Sequence, residues 1–445
     1  MIARSVGALG TPIFTRLLTP EEYGLFPLYN TWLGVVTVIG TLELTGGVIY
    51  RGLQKYKENS DEFLSGAFGL YLTFYTLFCS LYFAFNGFIN RITGLSTFIT
   101  SLMLVQIFAN TVIAFYTAKA RYEYRYKSVA LLSLLSSLGI PFVSVLFILG
   151  SDLRSEARII GSCITLGLIA IPTLYLILKP SRRIFDKDVW GFLLRFNLPL
   201  LPHYLSMSLI LRVGEITVGR VFGTEALGIY SVALSVGMSL TIITNGIISA
   251  LSPWLLRRIA AREVERIRDF LLVLTKALCI GCLVILAFAP EVIRIITPPD
   301  FHSALPAVYP LELSVIPMFL SGALVSGEMY YERSGISALP SVISAALSVL
   351  LSFLILPRVD YRFVSVFVLL SYALLAFLNT LTFKKLSGEN PLHTRSTLTV
   401  FALTIGYAAL IFLFRDVFLS RVVLILPLLP LGFILGRQIW QRIRE

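Results

Sequence analysis

The sequence predicts an all-α, polytopic membrane protein of about fourteen transmembrane helices, arranged as two pseudo-symmetric six-helix lobes plus two C-terminal helices. Three observations predict it. Apolar residues make up 56% of the 445-residue chain and charged residues only 14%, with a mean hydropathy of +0.83, whereas a soluble domain carries about 25% charged residues. The apolar runs are continuous, without the period-two alternation of barrel strands. Lipid offers backbone polar groups no partner, so continuous apolar runs of this length must be helices. The basic residues, finally, alternate from loop to loop.

Taken in order, spanning runs fall at roughly 1–18, 23–50, 63–89, 95–118, 128–149, 157–179, 192–219, 224–255, 269–290, 304–331, 338–357, 362–383, 397–414 and 419–436. The first, MIARSVGALGTPIFTRLLTP, lacks the compact core and small-residue cleavage site of a signal peptide. It reads as a short spanning helix, close to the roughly 20-residue minimum. Prolines 141, 199, 202, 317 and 340 lie within runs, where each removes a backbone hydrogen bond. Pro199 and Pro202 make the seventh run the expected bent element.

One set of alternate loops holds 24 Lys and Arg, including Arg121, Arg182, Arg183, the five arginines of RRIAAREVERIR (257–268), Arg333 and Arg442. The other set holds ten, including Arg16, Arg154, Arg158, Arg220 and Arg421. Short basic loops stay cytoplasmic, so both termini are expected inside a cell (plasma or inner) membrane. The net charge of +12 is thereby explained by loop anchoring, and nucleic acid is not an expected partner. RRIAAREVERIR reads as an amphipathic surface helix in contact with membrane lipid headgroups. The four cysteines lie in apolar runs. Cys279 and Cys282 are spaced CxxC without a second pair, which points to packing rather than metal or redox chemistry.

RLLTPEEYGLFPL (16–28) and RVFGTEALGIYSV (220–232) align at a shift of 204, pairing Arg16 with Arg220, Glu21 with Glu225 and Gly24 with Gly228. Both halves begin on the inner side, so the repeat is parallel, a common transporter plan with the substrate site between the halves. The expected division is a six-helix lobe at 1–180, a cytoplasmic linker at 181–191 within the basic stretch KPSRRIFDKD, a second six-helix lobe at 192–385, and two further helices at 386–445.

RLLTPEEYGLFPLYNTW (16–32), RYEYRYKSVALL (121–132), FNLPLLPHYLS (196–206), GTEALGIYSVALSVG (223–237) and YYERSGISALPSVISAALSVLLSFLILP (330–357) together resemble the polysaccharide-biosynthesis, Wzx-like oligosaccharide flippases of the MATE and MurJ superfamily. The resemblance runs in order from about residue 10 to 385. It implies a two-lobed transporter that carries a polyprenyl-diphosphate-linked oligosaccharide from the inner to the outer leaflet by alternating access, alongside polysaccharide polymerase machinery. Members similar to this chain carry Asp-Arg late in the seventh helix, where Gly214 and Glu215 stand here, with Arg212 nearby.

Ionisable groups inside hydrocarbon cost about 2.5–3.5 kcal/mol each on insertion scales and mark function. Arg212, Arg4, Glu215 and His203 are the candidate substrate-binding residues. Arginine matches a diphosphate in bidentate fashion. For Arg212 the alternative is an ion pair with Glu215 one turn away. For Arg4 it is snorkelling at the chain end, which also suits Lys276. Glu43, in TLELTGG within the second run, and Glu312 and Glu328 in the tenth are the ion-coupling candidates; each could instead be a packing ion pair. Arg16 and Arg220 read as structural junctions.

No GxxxxGK[ST] loop occurs, and the three histidines are scattered, so neither a cofactor nor a zinc site is expected. Two rivals remain. A multidrug or small-molecule cation exporter of the same fold needs an acidic cavity. A membrane glycosyltransferase or ligase needs an external carboxylate, for which Glu291 and Asp300 are the only candidates.

Overall fold

The computed structural model describes residues 2–181, 183–331 and 334–444, with side chains at all of these except 2–9, 47, 329, 334–337, 443 and 444. All regular structure among them is helical: α1 (Ile2–Leu17), α2 (Pro20–Thr41), α3 (Gly47–Lys55), α4 (Ser60–Ala84), α5 (Asn86–Thr93), α6 (Thr97–Tyr122), α7 (Tyr126–Gly150), α8 (Ala157–Leu178), α9 (Lys187–Asn197), α10 (Leu201–Val221), α11 (Gly223–Gly237), α12 (Thr241–Ala260), α13 (Val264–Ile296), α14 (Leu305–Glu328), α15 (Ser334–Leu350), α16 (Val364–Ser387), α17 (Thr394–Leu413), α18 (Phe418–Ile425) and α19 (Leu428–Arg444).

Ten segments are long and apolar enough to cross a membrane, or eleven if α11 and α12, bent by 46°, form one span. The protein is therefore a polytopic helical membrane protein, but length and composition alone do not carry the count to fourteen. The expected spans that fall short are α1, α2 and α10. α1 has only 16 residues. Glu21 and Glu22 open α2, and Arg212, Glu215 and Arg220 lie within α10. The substrate-binding candidates Arg4, His203, Arg212 and Glu215 thus lie on helices that fall short of the span test, whereas Glu312 and Glu328 lie on one that passes it.

Several predicted runs are broken where local chemistry demands it. The run 23–50 stops at Thr41. Leu42 and Glu43 are left-handed, with φ of 49° and 50°, a region that costs non-glycine residues energy and that ordinarily persists only when its surroundings hold it. The Thr41 hydroxyl accepts from the Glu43 backbone N–H, and the Asn197 amide donates to the Leu42 carbonyl. Gly46 and Gly47 then start α3. Glu43 therefore sits in a turn and not well inside a helix. The run 192–219 divides at Leu198–Leu200, a single 3-10 turn between α9 and α10, because Pro199 and Pro202 withdraw two backbone donors. RRIAAREVERIR is not one surface helix either. α12 ends at Ala260 and α13 begins at Val264, and between them Arg262 is left-handed at φ 58°.

Contacts divide the chain into two compact units, Met1–Gly228 and Ile229–Glu445. In the first, α7 packs on α8 through small residues, as helices in lipid do when backbones approach closely. Gly161 faces Ser144 and Gly139 faces Thr165. A buried polar chain ties α2, α6 and α8, with the Tyr29 hydroxyl donating to Gln106 Oε1 at 2.7 Å and the Cys163 thiol donating to the Leu102 carbonyl at 3.2 Å. The segment after α8 docks on α4: Ser65 donates to the Ser181 carbonyl at 2.8 Å, and Trp190 Nε1 to the Gly66 carbonyl at 2.9 Å. In the second unit α14 and α16 form the core, and α17 and α19 pack on α13. Cys279 and Cys282 are free and buried on α13.

Candidate functional site

Arg212 and Glu215 face α2. Arg212 Nη1 donates to the Asn30 carbonyl at 2.7 Å, and its guanidinium occupies the space that Gly34 leaves by having no side chain. Thr31 Oγ1 lies 2.6 Å from Glu215 Oε2 and 2.8 Å from the Pro27 carbonyl. One hydroxyl proton serves one acceptor at a time, so this corner of α2 can switch partners. Both charged side chains thus reach across to α2 instead of pairing along α10.

The remaining candidates are spread out. His203 is half-buried, two residues into α10, with Tyr204 beside it at a ring separation of 5.7 Å. Nine residues separate His203 from Arg212, about 13 Å along a helix. Arg4 belongs to α1, but its side chain lies outside the described residues, as does Arg333. Glu43 sits in the α2–α3 turn, half-buried. Glu312 and Glu328 are buried on α14, with 0% and 1% exposure. Sixteen residues, about 24 Å of helix, separate them. Neither carboxyl oxygen of Glu312 has a hydrogen-bond partner among the described residues.

Another arginine, assigned from sequence to an outer loop, is drawn inside. Arg158 opens α8, and its guanidinium is caged by aromatic rings, 3.7 Å from the Phe26 centroid, 4.4 Å from Phe14 and 5.7 Å from Tyr23. Such stacking is worth about 2 kcal/mol or more when desolvated. Nearby, Arg154 Nε donates to Glu22 Oε1 at 3.1 Å, and Nη2 to the Leu17 carbonyl at 2.5 Å. These bonds pin the α7–α8 loop to the α1–α2 junction and hold Arg158 in place.

Arg158 borders a cavity of about 460 Å³ walled by α1, α2, α6, α7 and α8. Asn110, Thr117 and Arg121 contribute from one face of α6, and Ser133, Ser136 and Ser137 from one face of α7. The charged groups in its lining are Arg121 and Arg158. A polar stripe facing a void inside an otherwise apolar bundle is what a hydrated or ligand-bearing passage requires. The stripe was readable, since residues 110, 117 and 121 and residues 133, 136 and 137 recur at helical spacing. The inward position of Arg158 was not.

At the starts of α2 and α11 the repeated segments meet. A Cβ on Gly24 would overlap the Thr224 carbonyl, and a Cβ on Gly228 would overlap the Pro20 carbonyl. Pro20 and Thr224 are themselves related by the shift of 204. The contact is therefore reciprocal, as for two copies of one motif about a local two-fold axis.

Two arginines and a stripe of hydroxyl and amide side chains thus border a largely apolar cavity in a multi-pass helical bundle. The chain belongs to the polysaccharide biosynthesis protein family, whose pattern matches residues 1–258, more than half of its length. No curated protein matches it. Among solved structures it is similar to the lipid II flippase MurJ in an inward closed conformation, at 13% identity and a TM-score of 0.69, covering 100% of this chain and 99% of that one. It is also similar to an inward-facing multidrug resistance MATE family transporter of the MOP superfamily, at 14% identity and TM-score 0.68, over 86% and 94% of the two chains. A MOP superfamily transporter from Pyrococcus furiosus Vc1, described as having a binding pocket of reversed polarity, aligns at 14% identity and TM-score 0.61 over 87% and 93%. The fold is that of the MOP superfamily.

Proposed function

We propose that this protein is a flippase that moves a polyprenyl-diphosphate-linked oligosaccharide from the cytoplasmic to the outer leaflet, by alternating access, and delivers it to polysaccharide polymerase machinery. The observation that carries this reading is the cavity lined by Arg158, Arg121 and a stripe of hydroxyl and amide side chains. Guanidinium groups suit the diphosphate, and hydroxyls and amides suit sugar. The lipid tail stays in the bilayer, where it costs nothing. Family membership and the likeness to a lipid II flippase support the substrate class. A cation exporter needs an acidic cavity, and this lining carries arginines instead.

In the same reading the lobes are 1–180 and 192–385, joined by 181–191 and followed by two added helices. The reciprocal Gly24–Gly228 contact closes the outer end. Arg212 and Glu215, with their α2 partners, form the hinge-side latch; His203 and Arg4 line the route, and Glu312 is the coupling carboxyl, ahead of Glu43 and Glu328. Termini face the cytoplasm.

A leaflet assay in reconstituted vesicles with a defined lipid-linked sugar tests the proposal. Wild type translocates it, and Arg158→Gln slows it about tenfold or more, the worth of a hydrogen bond to a charged group, with Arg158→Lys in between. Wild-type vesicles that export an organic cation and leave the lipid-linked sugar in place overturn it.

A further inference from the structure

The end of α12, the start of α13 and the end of α19 border a polar cavity of about 450 Å³. Its lining carries the cations Arg258, Arg266 and Arg442, the carboxylate Asp269 and the amides Gln438 and Gln441. Trp254 and Phe270, with ring centroids 5.0 Å apart, form an aromatic floor, and the Arg258 guanidinium lies 5.5 Å from the Trp254 ring.

The counter-charges are fewer than the cations. Glu263 pairs with Arg258 and lies 3.5 Å from Arg266. The hydrogen bond from Arg258 holds the Glu263 carboxyl below its usual range, so it stays an anion. Asp269 is shared between His393 at 2.7 Å and Arg442 at 3.9 Å. Two carboxylates thus face three arginines and a histidine. The side chains of Arg266 and Arg442 are 60% and 36% exposed, so their remaining donors are open to a ligand. α13 and the α18–α19 segment are both long and apolar enough to span, and the cavity lies at their polar ends. That is the depth of lipid phosphates, where basic clusters flanking spans draw anionic headgroups.

We propose that this cavity binds the phosphate headgroup of an anionic phospholipid, with Arg266, Arg442 and the two glutamines on the phosphate and Trp254 and Phe270 against the glycerol region. The site belongs wholly to the second unit and does not depend on the flippase assignment. Its occupant cross-links the end of α12 and the start of α13 to the end of α19.

Trp254 is a built-in reporter. In a Trp32→Phe, Trp190→Phe, Trp440→Phe background its emission is followed in vesicles of phosphatidylcholine containing either brominated phosphatidylglycerol or brominated phosphatidylcholine. The expected result is severalfold stronger quenching by the brominated phosphatidylglycerol. Arg266→Gln and Arg442→Gln each weaken that preference about fivefold, and Arg257→Gln, exposed and outside the lining, leaves it intact. An unchanged Trp254 emission maximum in pure phosphatidylcholine certifies folding; should Arg442→Gln fail this check, Arg266→Gln, at a more exposed position, decides. Equal quenching by the two lipids, or a preference indifferent to Arg266→Gln, overturns the proposal. Displacement of the brominated phosphatidylglycerol by millimolar inorganic phosphate assigns the site to free phosphate and overturns the lipid assignment.

Discussion

At the scale of single residues, the buried arginines are positioned by their partners. Arg421, 1% exposed, has the largest fully buried side chain described. It grips Glu291 through two bonds, Nη1 to Oε2 at 2.7 Å and Nη2 to Oε1 at 2.5 Å, and also donates to the Ala287 carbonyl. This fork fastens α18 to α13. The two ends of the pair are unequal, because the Glu291 side chain is 28% exposed and that of Arg421 only 2%. Glu291→Ala strands a cation in the interior and is expected to cost about 3–5 kcal/mol. Arg421→Met leaves a carboxylate that can reach water and costs less. The combined Arg421→Met, Glu291→Leu variant recovers much of the loss. Unfolding in detergent ranks the three, and an equal loss in both single variants contradicts the argument. The same residues remove Glu291 from the role of external catalytic carboxylate, since both its oxygens are engaged.

At the scale of elements, the close approach of α2 and α11 rests on missing side chains. Gly24 and Gly228 allow the starts of α2 and α11 to touch backbone to backbone, and Gly223, at φ 87°, makes the turn that aims α11 there. Leu28, 7% exposed, is covered beside Gly219. Gly24→Leu pushes the elements apart. A cysteine replacing Leu28 is then expected to react about tenfold faster with a membrane-impermeant thiol reagent, a shift of about 1.4 kcal/mol in the opening equilibrium. Unchanged labelling means that this contact is no gate. The α2–α3 break acts at the same scale. Two left-handed residues held by Asn197 tie the end of α2 to the end of α9.

At the scale of the whole molecule, the charge alternation makes a topological prediction. Reporter domains inserted at residue 124 or 391 are expected on the cytoplasmic side, and those at 152 or 298 on the outer side. Opposite sides reported at 152 and 298 would mean that a segment between them fails to span, and α10, which falls short of the apolar length test, is the one expected to do so.

Composition and the length of the apolar runs determined the class of this protein, since hydrocarbon admits few backbone solutions. The paired motif was equally legible, because Arg16/Arg220 and Gly24/Gly228 keep their spacing within the chain. The sequence also marked Arg212, Glu215 and Glu312 as costly to bury. Tertiary structure alone decided which way those groups face. Arg158 and Arg421 look like loop residues from their place at helix starts, and only packing turns them inward, one onto aromatic rings and the other onto Glu291. The cavities follow the same rule: a void is a property of several helices at once, and no single run of residues contains it.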